Sequence, residues 1–355
     1  MGKIRHSFQP GPAQLHPSVT PLIQEALETG ILTRYHRDEV WVELFAQAQE
    51  ALKKHLGAPE EWLVAFCSGA TEAWHIWIQA TADQTALHVS QGAFGDRWFE
   101  LRKAISTFAK KYAWDFAQPS QEQFQALAAQ YPGIGTVALV QVETSVGAVL
   151  PQLEKWRAAF PETLIALDAT SSLGALPVPW HAVDFVFASA QKGLGLPAGF
   201  GVLLISPRCI QLFRDYPAIA YNSLSRILHM AQMHQPISTP NLLGIYLIAK
   251  SLPARGTVEE IAPQIEKRAA KLYAAFAEEG YEPLLPEPYR AATVLTFKAP
   301  SEDTLRKLHQ QAEAAGLYLG RGYGPHKGST FRVANFPALP DEAYEELLEV
   351  LRSVQ

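Results

Sequence analysis

The sequence predicts an α/β fold, with a mainly parallel sheet in a large domain and a small α+β C-terminal domain. Three observations carry that expectation. Short apolar runs at 63–67 (LVAFC), 86–89, 136–142 (TVALVQV), 164–167, 185–188 and 201–205 (GVLLI) read as buried strands. Stretches with helical spacing of apolar residues, at 71–80, 96–109, 121–130 and 152–160, fall between some of them. Strands that alternate with helices call for a parallel sheet covered on both faces. After about residue 250 the pattern changes. A long helix is expected over 257–280 with Gly280 as its stop, then a strand at 292–298 and a helix at 301–315. Short strands near Leu317 and at 331–334 and a helix from Asp341 complete the series. Residues 1–20, with Pro10, Gly11, Pro12 and Pro17, read as an N-terminal arm, 21–250 as the large domain and 251–355 as the small one.

Composition narrows the function. The 355 residues are 48% hydrophobic and 10% aromatic, which supports a sizeable core without disulfides or structural metals. Lys plus Arg number 30 against 35 Asp plus Glu, a net charge of −5, which speaks against bulk nucleic-acid binding. Cys67 and Cys209 form no CxxC, and His229 and His234, five apart, do not share a helix face, so no metal site is expected. No apolar run approaches the ~18 residues of a membrane span. MGKIRHSFQPGP lacks the apolar stretch of a secretory leader. The expectation is a cytoplasmic protein with no membrane and no nucleic-acid partner.

In open parallel sheets, ligands bind beyond the carboxyl ends of the strands. Ser68-Gly69-Ala70-Thr71 follows the first run, Gly92-Ala93-Phe94-Gly95 the second and Glu143-Thr144-Ser145 the third. Asp168 follows the fourth and Ser189-Ala190-Gln191-Lys192 the fifth. Each alone has a plain structural reading. Ser68–Thr71 suits a strand-to-helix turn, Asp168 a turn aspartate, Lys192 a solvated loop lysine, Phe94 ordinary core. Together they suit one cofactor, pyridoxal 5′-phosphate. Its aldehyde needs a lysine and its pyridine nitrogen an acid, its phosphate favours a helix N-terminus, and its ring an aromatic face.

The chain resembles the class V aminotransferases, fold type I pyridoxal-phosphate enzymes, and among them the phosphoserine aminotransferases. The likeness runs through FQPGPAQLHPSV, RYHRDE, SGATEA, QGAFGDRW, VETSVG, LDATSSLGA, ASAQKGLGLPAG, STPN and FRVANF. It implies that Lys192 is the catalytic Schiff-base lysine and Asp168 the partner of the pyridine nitrogen. It further implies that Phe94 stacks on the ring and Thr144 bonds the ring hydroxyl. Ala70, Thr71 and Gln191 would hold the phosphate, with Ser238 and Thr239 reaching it from the second subunit of a homodimer whose active sites are shared. Serine at 238 stands where the family has asparagine. Arg332 matches the arginine that grips the substrate carboxylate, for which a guanidinium fork is suited. His36-Arg37 and His326-Lys327 resemble two basic pairs that hold a substrate phosphate, with lysine in place of arginine in the second. The implied reaction moves the amino group of O-phosphoserine to 2-oxoglutarate, in serine biosynthesis; alanine- or serine-glyoxylate transamination is the alternative. The partners are then small amino acids and 2-oxo acids. Trp74 and Trp77 read as packing, and Asn222 to Gln235 as a segment crossing to the partner.

Overall fold

A computed structural model describes residues 4–116 and 120–354. A seven-stranded sheet has the order Leu63–Cys67, Gly201–Ile205, Phe185–Ser189, Leu164–Asp168, Ile134–Val140, Thr85–Ser90, Ala109–Ala113. Gly201–Ile205 is antiparallel to both neighbours, and every other pairing is parallel. The mainly parallel sheet is therefore present, and the carboxyl ends of Leu63–Cys67, Thr85–Ser90, Ile134–Val140, Leu164–Asp168 and Phe185–Ser189 share one edge.

Both faces are covered, which is why the strands read as unbroken apolar runs rather than alternating ones. On one face, Ala65, Ala166, Phe187 and Leu203 meet the helices Ala70–Ala80 and Leu224–Gln232 through Trp77, Ile227 and Leu228. Trp77 stacks on Phe185 at 4.9 Å. On the other, Leu87, Val137, Ile165 and Val202 meet the helices Glu39–Leu56 and Leu242–Ser251. Asp38 caps the first of these by accepting from Trp41 N, and Gly57 ends it at φ 63°.

Several boundaries move for identifiable reasons. The helix expected at 96–109 is Ala93–Ile105, and Ala109–Ala113 becomes the sheet's edge strand, its exposed Lys110 and Lys111 suiting an edge. The run 136–142 stops at Val140, since Gln141 N turns to bond Asp168 O and residues Val142–Glu143 pair instead with Ala148–Val149. Gly147, at φ 68°, makes that hairpin's turn, and a Cβ there would lie 2.5 Å from Val294 O.

The second sheet runs His6–Phe8, Leu317–Arg321, Thr330–Ala334, Val294–Lys298, Glu282–Pro283. Residues 6–8 thus differ from the expected arm. They pair in parallel with Leu317, Tyr318 and Leu319, and Phe8 is fully buried with its ring 5.2 Å from Tyr344. The reading of residues 1–3 as arm lies outside the described residues. The Val258–Glu278 helix links the two halves: Val258 packs with the large-sheet core and Leu272 and Phe276 with the small-sheet core. The stretch from Asn222 to Gln235 packs against this chain's large sheet. It carries the Leu224–Gln232 helix, and Leu224, Ile227, Leu228 and Ala231 are buried in the chain's own core. Among the described residues no helix is long and apolar enough to cross a membrane.

Candidate active site

The strand ends enclose a cleft of about 260 Å³. Ala70, Thr71, Phe94, Thr144, Asp168, Gln191, Lys192 and Arg332 all line it, so eight of the residues singled out from sequence converge. Each arrives for a local reason. Asp168 ends a fully buried strand, and Lys192 follows the neighbouring one. Phe94 opens a helix, and Arg332 sits mid-strand in the second sheet, reaching across.

Lys192 Nζ donates to Thr144 Oγ1 at 2.8 Å and Ser171 Oγ at 2.9 Å. Burial lowers its pKa from 10.5 to about 8, against the pull of Asp168 and Glu143, with Arg332 adding to the lowering. A neutral amine is therefore available near physiological pH. The Nζ lies 5.5 Å from the Phe94 ring centroid. On its other side runs Pro10-Gly11-Pro12, also lining the cleft. A Cβ on Gly11 would fall 2.8 Å from Lys192 Cε, so only glycine permits this approach.

Asp168 is buried, which raises its pKa, but its oxygens are well supplied. Oδ1 accepts from Thr170 N at 2.9 Å and Oδ2 from Trp74 Nε1 at 2.8 Å. Trp74 is therefore more than packing: it fixes the carboxylate. At the start of Ala70–Ala80, Ala70 N donates to Ser189 Oγ at 2.8 Å. Gln191 Oε1 is a buried polar atom without a partner among the described residues, and its side chain belongs to the cleft lining. Unpaired buried acceptors are costly. A phosphorylated pyridine would meet a lysine, a buried acid, an aromatic face, a helix N-terminus and this unpartnered amide. The residues present fit that cofactor.

A second buried acid, Glu143, organises the wall. Its carboxylate accepts from Phe94 N and Gly95 N at 3.1 Å, and from Ser145 N and Oγ at 3.0 and 2.6 Å. It thereby caps the helix that carries Phe94. Burial raises its pKa while these four bonds oppose that. Arg332 spends Nε on Arg321 O and Nη1 on Thr144 O, both at 2.9 Å, and burial lowers its pKa to about 10.

The remaining residues singled out from sequence lie elsewhere in the chain. Ser238 and Thr239 line a separate cavity of about 210 Å³ with Glu72, Phe200 and Tyr221. Arg37 borders a basic depression with Arg214, Arg226 and His229, and donates to Gln235 Oε1 at 2.8 Å. His36 packs edge-on against Tyr35. His326 ends the short turn Gly324–His326, and Lys327 faces a depression formed with His309 and Arg321. Conversely, the sequence assigned no site role to Ser171 or Tyr323, read Trp74 as packing and Pro10-Gly11-Pro12 as an arm, and named Ser189 only as one of the residues after its strand. Trp74 lies three residues after Thr71 on one helix, a spacing that places it on the same face.

The sequence model of the aminotransferase class-V family matches residues 6–311. A phosphoserine aminotransferase of Dichelobacter nodosus is 23% identical over 371 residues, covering 99% of this chain and 98% of the relative. A solved phosphoserine aminotransferase from Cytophaga hutchinsonii superposes with a TM-score of 0.87 at 26% identity, covering 99% of both chains. An alanine–glyoxylate aminotransferase from Nostoc sp. shares the fold, with a TM-score of 0.84 at 22% identity over 100% of this chain and 96% of its own.

Proposed function

The chain belongs to the class V aminotransferases, whose cofactor is pyridoxal 5′-phosphate, and from that premise we propose that it transaminates O-phosphoserine with 2-oxoglutarate. The observation that carries the catalytic half is the convergence of Lys192, Asp168, Phe94 and Arg332 on one cleft. When bound, the cofactor supplies an electron-accepting ring for chemistry at the substrate Cα. Asp168, held by Trp74 and Thr170, would serve as the acid partner of the ring nitrogen and keep that nitrogen protonated. Lys192 would hold the cofactor through its aldehyde, and its amine, when free, would carry the substrate Cα proton. Thr144 and Ser171 position that nitrogen. Arg332 takes the α-carboxylate on the guanidinium edge not committed to Arg321 and Thr144.

The phosphoserine half rests on the end-to-end likeness to enzymes of that name and on His36-Arg37 and His326-Lys327. In one chain these pairs lie away from Lys192, so the reading includes a homodimer in which each subunit brings Arg37, Ser238 and Thr239 to its partner's cleft. Exposed apolar side chains near these residues support such an interface: Tyr35, Tyr221 and Ile219 are 65%, 62% and 74% exposed. The discriminating assay offers O-phosphoserine, serine and alanine, each with 2-oxoglutarate and with glyoxylate. Phosphoserine with 2-oxoglutarate is expected to exceed the others in kcat/KM by about tenfold or more, the worth of one charge-assisted contact. A preference for alanine or serine with glyoxylate replaces this reading with the glyoxylate-type one.

A further inference from the structure

At the mouth of the cleft, two guanidinium groups share one aromatic ring. Tyr323 comes from the loop ahead of the Thr330–Ala334 strand, lines the cleft, and lies 5.7 Å from Phe94. Arg332 sits 5.4 Å from the Tyr323 ring centroid. Arg97 also sits 5.4 Å from that centroid, and 5.5 Å from the centroid of Phe94. Arg97 is three residues after Phe94 on the Ala93–Ile105 helix, which puts both on one face, and it donates a hydrogen bond to the Tyr323 hydroxyl.

Arg97 differs from the charges beneath it. Lys192 and Arg332 are buried and share the interior with Asp168 and Glu143. Arg97 is exposed, and among the described residues no carboxylate pairs with it; its neighbour Asp96 is engaged by Lys111 at 2.6 Å. An arginine held over two rings and a phenol, with its charge unanswered, is placed to receive an anion. The α-carboxylate is served deeper, by Arg332. Arg97 stands beside Phe94 and Tyr323, further from Lys192, on the side where the far end of a substrate with its α-carbon at Lys192 would reach.

We propose that Arg97 is the specificity residue for a distal anionic group, so that the cleft selects amino acids and 2-oxo acids with a second negative charge, carboxylate or phosphate. This rests on the reading of the cleft as a transaminase site. Tyr323 is the spacer between the two anion sites. A bound distal anion takes the donors of Arg97 now given to the phenol, while the ring contacts keep the guanidinium in place. The arrangement lies within one chain and serves any distal anion, unlike the basic pairs assigned to phosphate alone.

The test uses the cofactor-loaded enzyme and single-turnover rates of the amino-donor half-reaction, read from the cofactor's absorbance. Wild type, Arg97→Ala and Arg97→Lys are compared on glutamate, O-phosphoserine, alanine and serine. Arg97→Ala is expected to lower the second-order rate constant about 10- to 100-fold for glutamate and phosphoserine, and less than about threefold for alanine and serine. Arg97→Lys restores part of the loss. Binding of glutarate, an unreactive dicarboxylate, weakens in parallel by calorimetry. Equal losses on all four donors, or no loss on any, overturn the assignment. The two readings fail separately. A wild type that ignores phosphoserine defeats the phosphoserine reading, while the dianion-to-monoanion ratio for glutamate against alanine still decides the role of Arg97.

Discussion

Lys192 and Lys327 mark the two ways this chain deploys a cation. Lys192 is buried, donates to hydroxyls from two other loops, and is crossed by the backbone of Gly11. Lys327 is exposed on a turn, in a surface depression lined by polar and charged side chains. The floor of the cleft is over-determined: strands fix the backbone, neighbours fix the side chains, and burial tunes the charge. The rim is a set of loop and helix-surface residues, several held by a single contact, as Arg37 is by Gln235. Chemistry that recurs across a family belongs on the first kind of support, and choice among substrates on the second.

The sharpest break with this contrast comes from the floor. Lys192→Ala is expected to lower turnover by about 10³-fold or more, the scale of general acid–base catalysis by one positioned group, with unchanged far-ultraviolet circular dichroism. Borohydride treatment of the loaded wild type followed by mass spectrometry should find the cofactor on the peptide containing Lys192. The pH dependence carries a sign. Only the neutral amine captures an aldehyde, so capture by the cofactor-free protein rises with pH with a midpoint near 8, rather than near the ordinary lysine value of 10.5. A midpoint near 10.5 means that Lys192 is not desolvated as the geometry requires.

An intermediate effect is expected one layer out. Trp74→Phe keeps the ring but removes the donor to Asp168 Oδ2. Losing a hydrogen bond to a buried charge costs about 1–3 kcal/mol, which corresponds to roughly 10- to 100-fold in turnover if Asp168 must stay ionised. Unchanged kinetics would return Trp74 to the packing role its spacing first suggests.

Effects at the rim are expected to depend on the substrate, and they sharpen the comparison by ranking its members. Arg37→Ala should cost on the order of 2 kcal/mol in phosphoserine kcat/KM and scarcely alter glutamate. Lys327→Ala, removing a point charge where the likeness expects a guanidinium fork, should lower phosphoserine kcat/KM by less than Arg37→Ala does and scarcely alter glutamate. If Lys327→Ala equals or exceeds Arg37→Ala, the turn at Gly324–His326 approaches the substrate more closely in the working enzyme.

How much of this was readable from residues follows the same division. The sheet strands announced themselves as apolar runs, and the residues after them as a set, because a parallel sheet delivers its carboxyl ends to one edge. Asp168 and Lys192 were legible for that reason. Trp74 was not, because a tryptophan at helical spacing beside Trp77 looks like core, and its indole nitrogen finds Asp168 only once Ala70–Ala80 lies on the sheet. Ser171 and Ser189 carry no local signal; their roles come from where Lys192 Nζ and Ala70 N arrive. Tyr323 and Arg97 are 226 residues apart, and only the docking of the second sheet against the first joins them. The strand His6–Phe8 was hidden by the proline-rich stretch after it, and its partner lies near the other end of the sequence.

That last pairing has a bearing on how the protein is made. Gln9 Nε2 bonds Leu319 O across 310 residues of chain, and Pro10-Gly11-Pro12 follows directly. During synthesis the ribosome delivers every strand of the large sheet before Leu317–Arg321 exists. At roughly 5–20 residues per second, the opening strand waits tens of seconds for its neighbour. From the completion of Gly201–Ile205 until then, Lys192 has its floor but lacks the anchored wall that Gly11 provides. The emerging enzyme can gather its cofactor-binding strands early, yet the compartment around the lysine is sealed only once Leu317–Arg321 has been made.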